Sequence, residues 1–99
     1  MPKLAVSGAI DQNSTVCRTA NHFKADHEGD SIIMSIEAGK FFTFDAIGFE
    51  IWESIAEPIL VGDLVSELAN KHGETSERVL KDVISFLDRL AQESLLEEV

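Results

Sequence analysis

Cys17 precedes His22 by five residues and His27 by ten, the one stretch that sets a thiol close to imidazoles along the chain. A thiolate nucleophile needs a base within hydrogen-bond reach and a donor for the developing oxyanion. Cys17 and His22 share a weakly patterned strand, and nothing nearby supplies such a donor, so Cys17 reads as an inert cysteine. A metal site needs three or four converging ligands, and no such set can be assembled. His72 falls in the last turn of a helix, where a cation offsets the dipole, and reads as a surface residue. Glu97 and Glu98 read as solvated acids. Gly29, Gly39, Gly48, Gly62 and Gly73 are spaced as turn, packing and cap residues rather than as a phosphate loop. The chain is therefore expected to bind rather than to catalyse, without cofactor or metal.

The elements that carry these residues are short. Residues 1–16 are rich in Ser, Gly, Asn and Ala without sustained periodicity, and read as a flexible N-terminal arm. Residues 17–99 read as one folded domain. Cys17 to Lys24 form a weak strand, followed by a turn cluster over Asp26-His27-Glu28-Gly29-Asp30. Ser31 to Glu37 set Ile32, Met34 and Ile36 on one face, and Ala38-Gly39 joins them to Lys40-Phe41-Phe42-Thr43-Phe44 as a hairpin.

Asp45 caps a first helix whose apolar stripe is Ile47, Ile51, Trp52 and Ile55, and Pro58 ends it. A second helix, Gly62 to His72, turns Leu64, Val65, Leu68 and Ala69 inward, with Gly73 beyond its end. Thr75 or Ser76 caps a third, roughly Ser76 to Glu93, and Leu95-Leu96 close the chain. The apolar positions of this third helix span roughly 160° of arc, against about 100° for an ordinary surface helix. The surplus margin either meets something outside the core or touches the hairpin and the tail. The strand Lys40 to Phe44 runs straight into a helix, so one of its backbone edges is open to an added strand, with the third helix as a groove wall.

With 44% hydrophobic and 26% charged residues, the chain suits an ordinary folded domain. Its apolar runs are too short for a bilayer span, and residues 1–4 lead into no signal peptide. The expectation is a soluble, cytoplasmic protein, and the lone cysteine suits a reducing compartment. Residues 1–44 hold five acids against four bases, and residues 45–99 thirteen against four. A net charge of −10, concentrated in the helical half, repels phosphates and excludes nucleic acid. Partners are expected to be neutral or basic.

The run Gly39-Lys40-Phe41-Phe42-Thr43-Phe44-Asp45-Ala46-Ile47-Gly48-Phe49-Glu50-Ile51-Trp52 resembles the strand-to-helix signature of PqqD-like proteins, the recognition elements for ribosomally made, modified peptides. Asp63 to Gly73 is similar to that family's second helix, and Asp82 to Leu90 with Leu95-Leu96 to its third helix and closing segment. The resemblance spans about residues 17–97. It implies an α+β, winged-helix-like fold of a three-stranded antiparallel sheet and three helices, in which the leader of a precursor peptide docks as a further strand. It places the site on Lys40, Phe41, Phe42, Thr43 and Phe44 for the strand edge, with Val79, Asp82, Val83, Phe86 and Leu87 as the facing wall. Glu37-Ala38-Gly39 stands where proteins of quinone-cofactor synthesis carry Pro-Glu-Gly, and the rest looks more like the stand-alone proteins of lasso-peptide biosynthesis. Such a protein presents the precursor to a leader peptidase and a cyclase.

The competing class is a winged-helix DNA-binding regulator. Its reading helix would be the third, where Arg78, Lys81 and Arg89 are matched by Glu77, Asp82, Asp88 and Glu93, leaving no basic face. A third reading, an enzyme built on Cys17, ranks last.

Overall fold

The computed structural model describes residues 10–27 and 30–99. Residues 10–16 are part of the packed structure rather than of a loose arm: Ile10 and Val16 are buried. The backbone oxygens of Gln12 and Ser14 accept from Gly62 N (2.9 Å) and Val61 N (2.8 Å). Those contacts satisfy amides at the start of a helix that has no side-chain cap, which explains why this polar stretch is ordered. Residues 1–9, the rest of the expected arm, lie outside the described residues, as do Glu28 and Gly29 of the expected turn.

Strand β1, Thr15–Arg18, is the centre of a sheet that sequence pattern does not reveal. It pairs antiparallel with β5, Ile59–Leu60, and with β6, Leu96–Glu98. A second antiparallel sheet has the order β2, β3, β4, formed by His22–His27, Asp30–Ser35 and Lys40–Phe42. The single three-stranded sheet expected from the sequence is thus corrected to two three-stranded sheets. The division falls at residues 19–21, where the amides of Arg18 and Thr19 turn away to Ile55 O and Leu95 O before β2 begins.

The inward face of β3 also differs from expectation. Ile33 and Ser35 are fully buried, whereas Ile36 is 59% exposed. Three consecutive apolar residues, Ile32 to Met34, leave the alternation undecided, and a shift of one position exchanges the faces. Ser35 tolerates burial because its hydroxyl meets Asn21 Nδ2 and Ala38 N, each at 3.2 Å. On the outer face Phe23, Met34 and Phe41 stand in one cross-strand row, with Phe23 and Phe41 at least half exposed.

Helix α1, Ala46–Ser54, begins at Asp45, whose carboxylate accepts from Gly48 N at 2.8 Å. It buries Ile51 and Trp52, and Ile55 just beyond it is fully buried, while Ile47 stays exposed. Helix α2, Val61–His72, ends at Gly73 in the left-handed region, φ 66°, a conformation glycine adopts without steric cost. Helix α3, Ser76–Gln92, is capped by Thr75 Oγ1, which accepts from Arg78 N. Its inner positions Val83, Leu87 and Leu90 join Trp52, Ile33, Ile55, Leu64 and Leu95 in one core. The broad apolar stripe of α3 divides beyond that core. Leu80 and Ile84 line a shallow depression with residues 10–13, and Phe86 faces the second sheet.

Candidate functional site

Strand β4 is an edge: it pairs with β3 on one side, and among the described residues no strand pairs with its other side. Its outward N–H and C=O groups are thus available to an extended chain. Phe41 points to the outer face and is 67% exposed. Phe42, opposite Ile33 in the ladder, is half-buried against the core. The strand stops at Phe42, two residues earlier than expected, because Thr43 and Phe44 lead into the Asp45 cap. Phe44 then becomes an aromatic hub, with its ring centroid 5.2 Å from Phe49, 5.2 Å from Phe86 and 5.8 Å from Trp52.

Helix α3 forms the opposite wall. Phe42, Thr43 and Phe44 face Phe86, Arg89, Leu90 and Glu93 across a cleft of about 160 Å³. A separate, larger depression of about 400 Å³ lies nearer the start of α3. Ile47, Ile51, Leu68, Val79 and Val83 line it, and His72, Glu74, Arg78 and Asp82 complete its wall. Val79, Asp82, Phe86 and Leu90 recur three or four residues apart on one helical face. The cleft and the depression therefore lie in succession along one face of α3, a trough in two parts spanning roughly 16 Å at 1.5 Å per residue.

Of the residues singled out in the sequence, Phe42, Thr43, Phe44 and Phe86 line the smaller cleft and Val79, Asp82 and Val83 the larger depression, whereas Lys40, Phe41 and Leu87 line neither. Val79 and Phe86 are half-buried and Asp82 is exposed. Val83, 1% exposed, forms the floor of the larger depression, and the fully buried Leu87 supports the wall from the core side. Sequence reasoning did not single out Arg89, Leu90 and Glu93 as site residues. They continue the spacing of Phe86 by one and two turns, so the helical period carried the signal. Nor did it find Ile47, whose 43% exposure places an isoleucine at the larger depression.

Charges frame the trough. Lys40 Nζ lies 3.4 Å from Glu93 Oε1, linking the start of β4 to the end of α3. At the other end Glu50 joins α1 to α2, with Lys71 Nζ at 2.9 Å and His72 Nε2 at 3.0 Å. Hydrogen bonds from these two groups hold the Glu50 carboxyl below the usual carboxylate range. His72 is exposed, as expected of a surface residue, and is also a partner of Glu50.

The catalytic candidates are occupied differently. Burial and the nearby Glu97 carboxylate push the Cys17 thiol up from its ordinary pKa, the reverse of what a thiolate nucleophile requires. His22 Nδ1 is 2.8 Å from Thr19 O, and its ring packs edge-on against Trp52. Among the described residues no group of three or more His, Cys, Asp or Glu side chains is arranged to hold a metal ion. No described helix is long and apolar enough to cross a membrane.

An open strand edge beside an apolar trough is the geometry in which one chain takes up another as an added strand. A family model described as coenzyme PQQ synthesis protein D (PqqD) matches residues 30–96. The chain belongs to the PqqD family. The match begins at β3 and takes in β4, all three helices and the first residue of β6. Among solved structures, this PqqD family member is similar to TbiB1 in complex with the TbiA(beta) leader peptide. The TM-score is 0.72 at 23% sequence identity, and the alignment covers 82% of this chain and 94% of that one. At this identity the likeness is one of fold. A comparison with curated proteins returns no match.

Proposed function

We propose that this protein binds the leader segment of a ribosomally made precursor peptide as a strand added to β4. It holds the leader against α3 and presents the precursor to the leader peptidase and cyclase of lasso-peptide biosynthesis. The observation that carries this reading is the edge of Lys40–Phe42, which no strand pairs with among the described residues and whose Phe42 lines the cleft with Phe86. Membership of the PqqD family and the fold shared with TbiB1, which was solved with a leader peptide, support it.

Backbone pairing with β4 supplies largely sequence-independent affinity, since every residue except proline offers one donor and one acceptor. Selectivity comes from alternate side chains. Those on one face of the added strand enter the clefts lined by Phe86, Leu90 and Val79, and those on the other extend the row Phe23–Met34–Phe41. Asp82, Arg89 and Glu93 are placed to read polar positions along the leader. In this scheme the protein contributes binding and orientation, and the enzymes that receive the precursor supply the chemistry.

The test is titration calorimetry with the leader of the short precursor encoded beside the gene. Dissociation constants of micromolar or below are expected, together with faster cleavage of the precursor when this protein is added to the neighbouring leader peptidase. Absence of both heat and competition with a labelled leader overturns the reading.

A further inference from the structure

We propose that Asn21 is a positioning residue that sets the gap between the β4 edge and α3, and with it the ability of the trough to accept a strand. The proposal rests on the leader-binding reading above and identifies what holds that site in shape.

Asn21 sits in the short link between the two sheets, and its side chain makes three hydrogen bonds, using both amide hydrogens and the carbonyl oxygen. Nδ2 donates to Ser35 Oγ (3.2 Å) and to Ser94 O (3.1 Å), and Oδ1 accepts from Glu37 N (2.6 Å). One amide thus ties together the end of β3, the turn before β4 and the corner after α3. That corner is unusual. Ser94 is the one non-glycine residue with positive φ (62°) among the described residues, a region that costs such residues energy unless their surroundings hold them there. Its carbonyl is held twice, by Asn21 Nδ2 and by Thr19 Oγ1 at 2.8 Å. The Lys40–Glu93 pair adds a second link between the same turn and the same helix end.

The consequence is mechanical. At the far end of the cleft the distance between sheet and helix is fixed by Phe44 packed on Phe86. At the near end it is fixed by polar groups centred on Asn21. An added strand must lie about 4.8 Å from β4 to pair with it while its side chains reach Phe86 and Leu90. Both contacts form together only if the gap is held at both ends. Asparagine suits the task because a carboxylate in its place would present no donor and would oppose the Ser94 carbonyl.

Three variants and two measurements test the inference. Asn21→Ala and Asn21→Asp should each lower affinity for the synthetic leader at least tenfold. In the ligand-free protein, hydrogen exchange should rise selectively at the amides of residues 36–42. Ile59→Ala, in the other sheet, serves as the control for general destabilisation and should leave leader affinity within twofold. Unchanged affinity in both Asn21 variants overturns the proposal, as does a loss that Ile59→Ala reproduces at matched stability. If the wild-type protein binds no leader, the leader reading fails by itself. The exchange pattern then decides alone, and unaltered exchange over residues 36–42 in Asn21→Ala overturns the clasp.

Discussion

Glu50 shows how one side chain couples two helices beside the trough. Its carboxylate is shared by Lys71 and His72, and their hydrogen bonds lower its pKa in the folded state. A carboxylate with a depressed folded pKa contributes stability above its unfolded value of about 4.3 and loses it as pH falls through the folded value. Lys71 is largely exposed, so the contribution is of the order of a surface pair, about 0.2–1 kcal/mol. Glu50→Gln is expected to lower the urea midpoint at pH 6, with the difference from wild type vanishing as pH falls below the usual carboxylate range. An unchanged gap at pH 3 would show that the loss comes from packing and not from charge. His72 also belongs to the larger depression, so the same variant replaces a charged partner of that ring by a neutral one.

At the scale of elements, the turn from β4 into α1 carries both the edge and the aromatic hub, and Gly48 makes it possible. A Cβ at that position would stand 2.9 Å from Phe44 Cβ and 3.2 Å from the Asp45 carboxylate that caps the helix. Alanine is the better helix former by about 1 kcal/mol, yet overpacking of this kind costs about 1–3 kcal/mol. Gly48→Ala is therefore expected to lose about 1 kcal/mol in urea unfolding and to weaken leader binding by displacing Phe44 from Phe86. A gain in stability would show that Phe44 can yield. This segment was legible in the sequence because its signals are local: the aromatic alternation, the Asp45 cap and the Ile51–Trp52 spacing all act within a few residues. The three helices were legible for the same reason, through Gly73, Thr75 and the apolar period of α3. The sheet centred on β1 was not. Its partners lie about 44 and 80 residues away along the chain, and strands of two to four residues carry too little alternation to announce themselves. The clasp at Asn21 was hidden likewise, since its bond to Ser94 spans 73 residues. The face of β3 was misread because Ile32, Ile33 and Met34 satisfy either register, and the deciding residue is a buried serine.

Over the whole molecule, charge decides which partners reach the trough. The formal charge is −10, and the radius of gyration is 13.3 Å. At an ionic strength of 0.01 M the screening length is about 30 Å and an approaching chain senses the entire acidic field, whereas at 0.15 M it is about 8 Å. Only the groups at the cleft and depression then act, and there Lys40, Arg78 and Arg89 balance Glu74, Asp82 and Glu93. For a basic leader, the association rate measured by stopped-flow anisotropy is therefore expected to fall several-fold between 0.01 and 0.15 M salt. It should change little above that, with dissociation nearly constant throughout. Duplex DNA meets the same field with the opposite sign of interaction and should not be retarded at any of these concentrations, since binding depends on Lys and Arg displacing counterions. A leader rate that keeps falling up to 0.5 M would place close ion pairs, rather than backbone pairing and apolar clefts, in charge of recognition. A retarded DNA band at moderate salt would return α3 to the role of a reading helix.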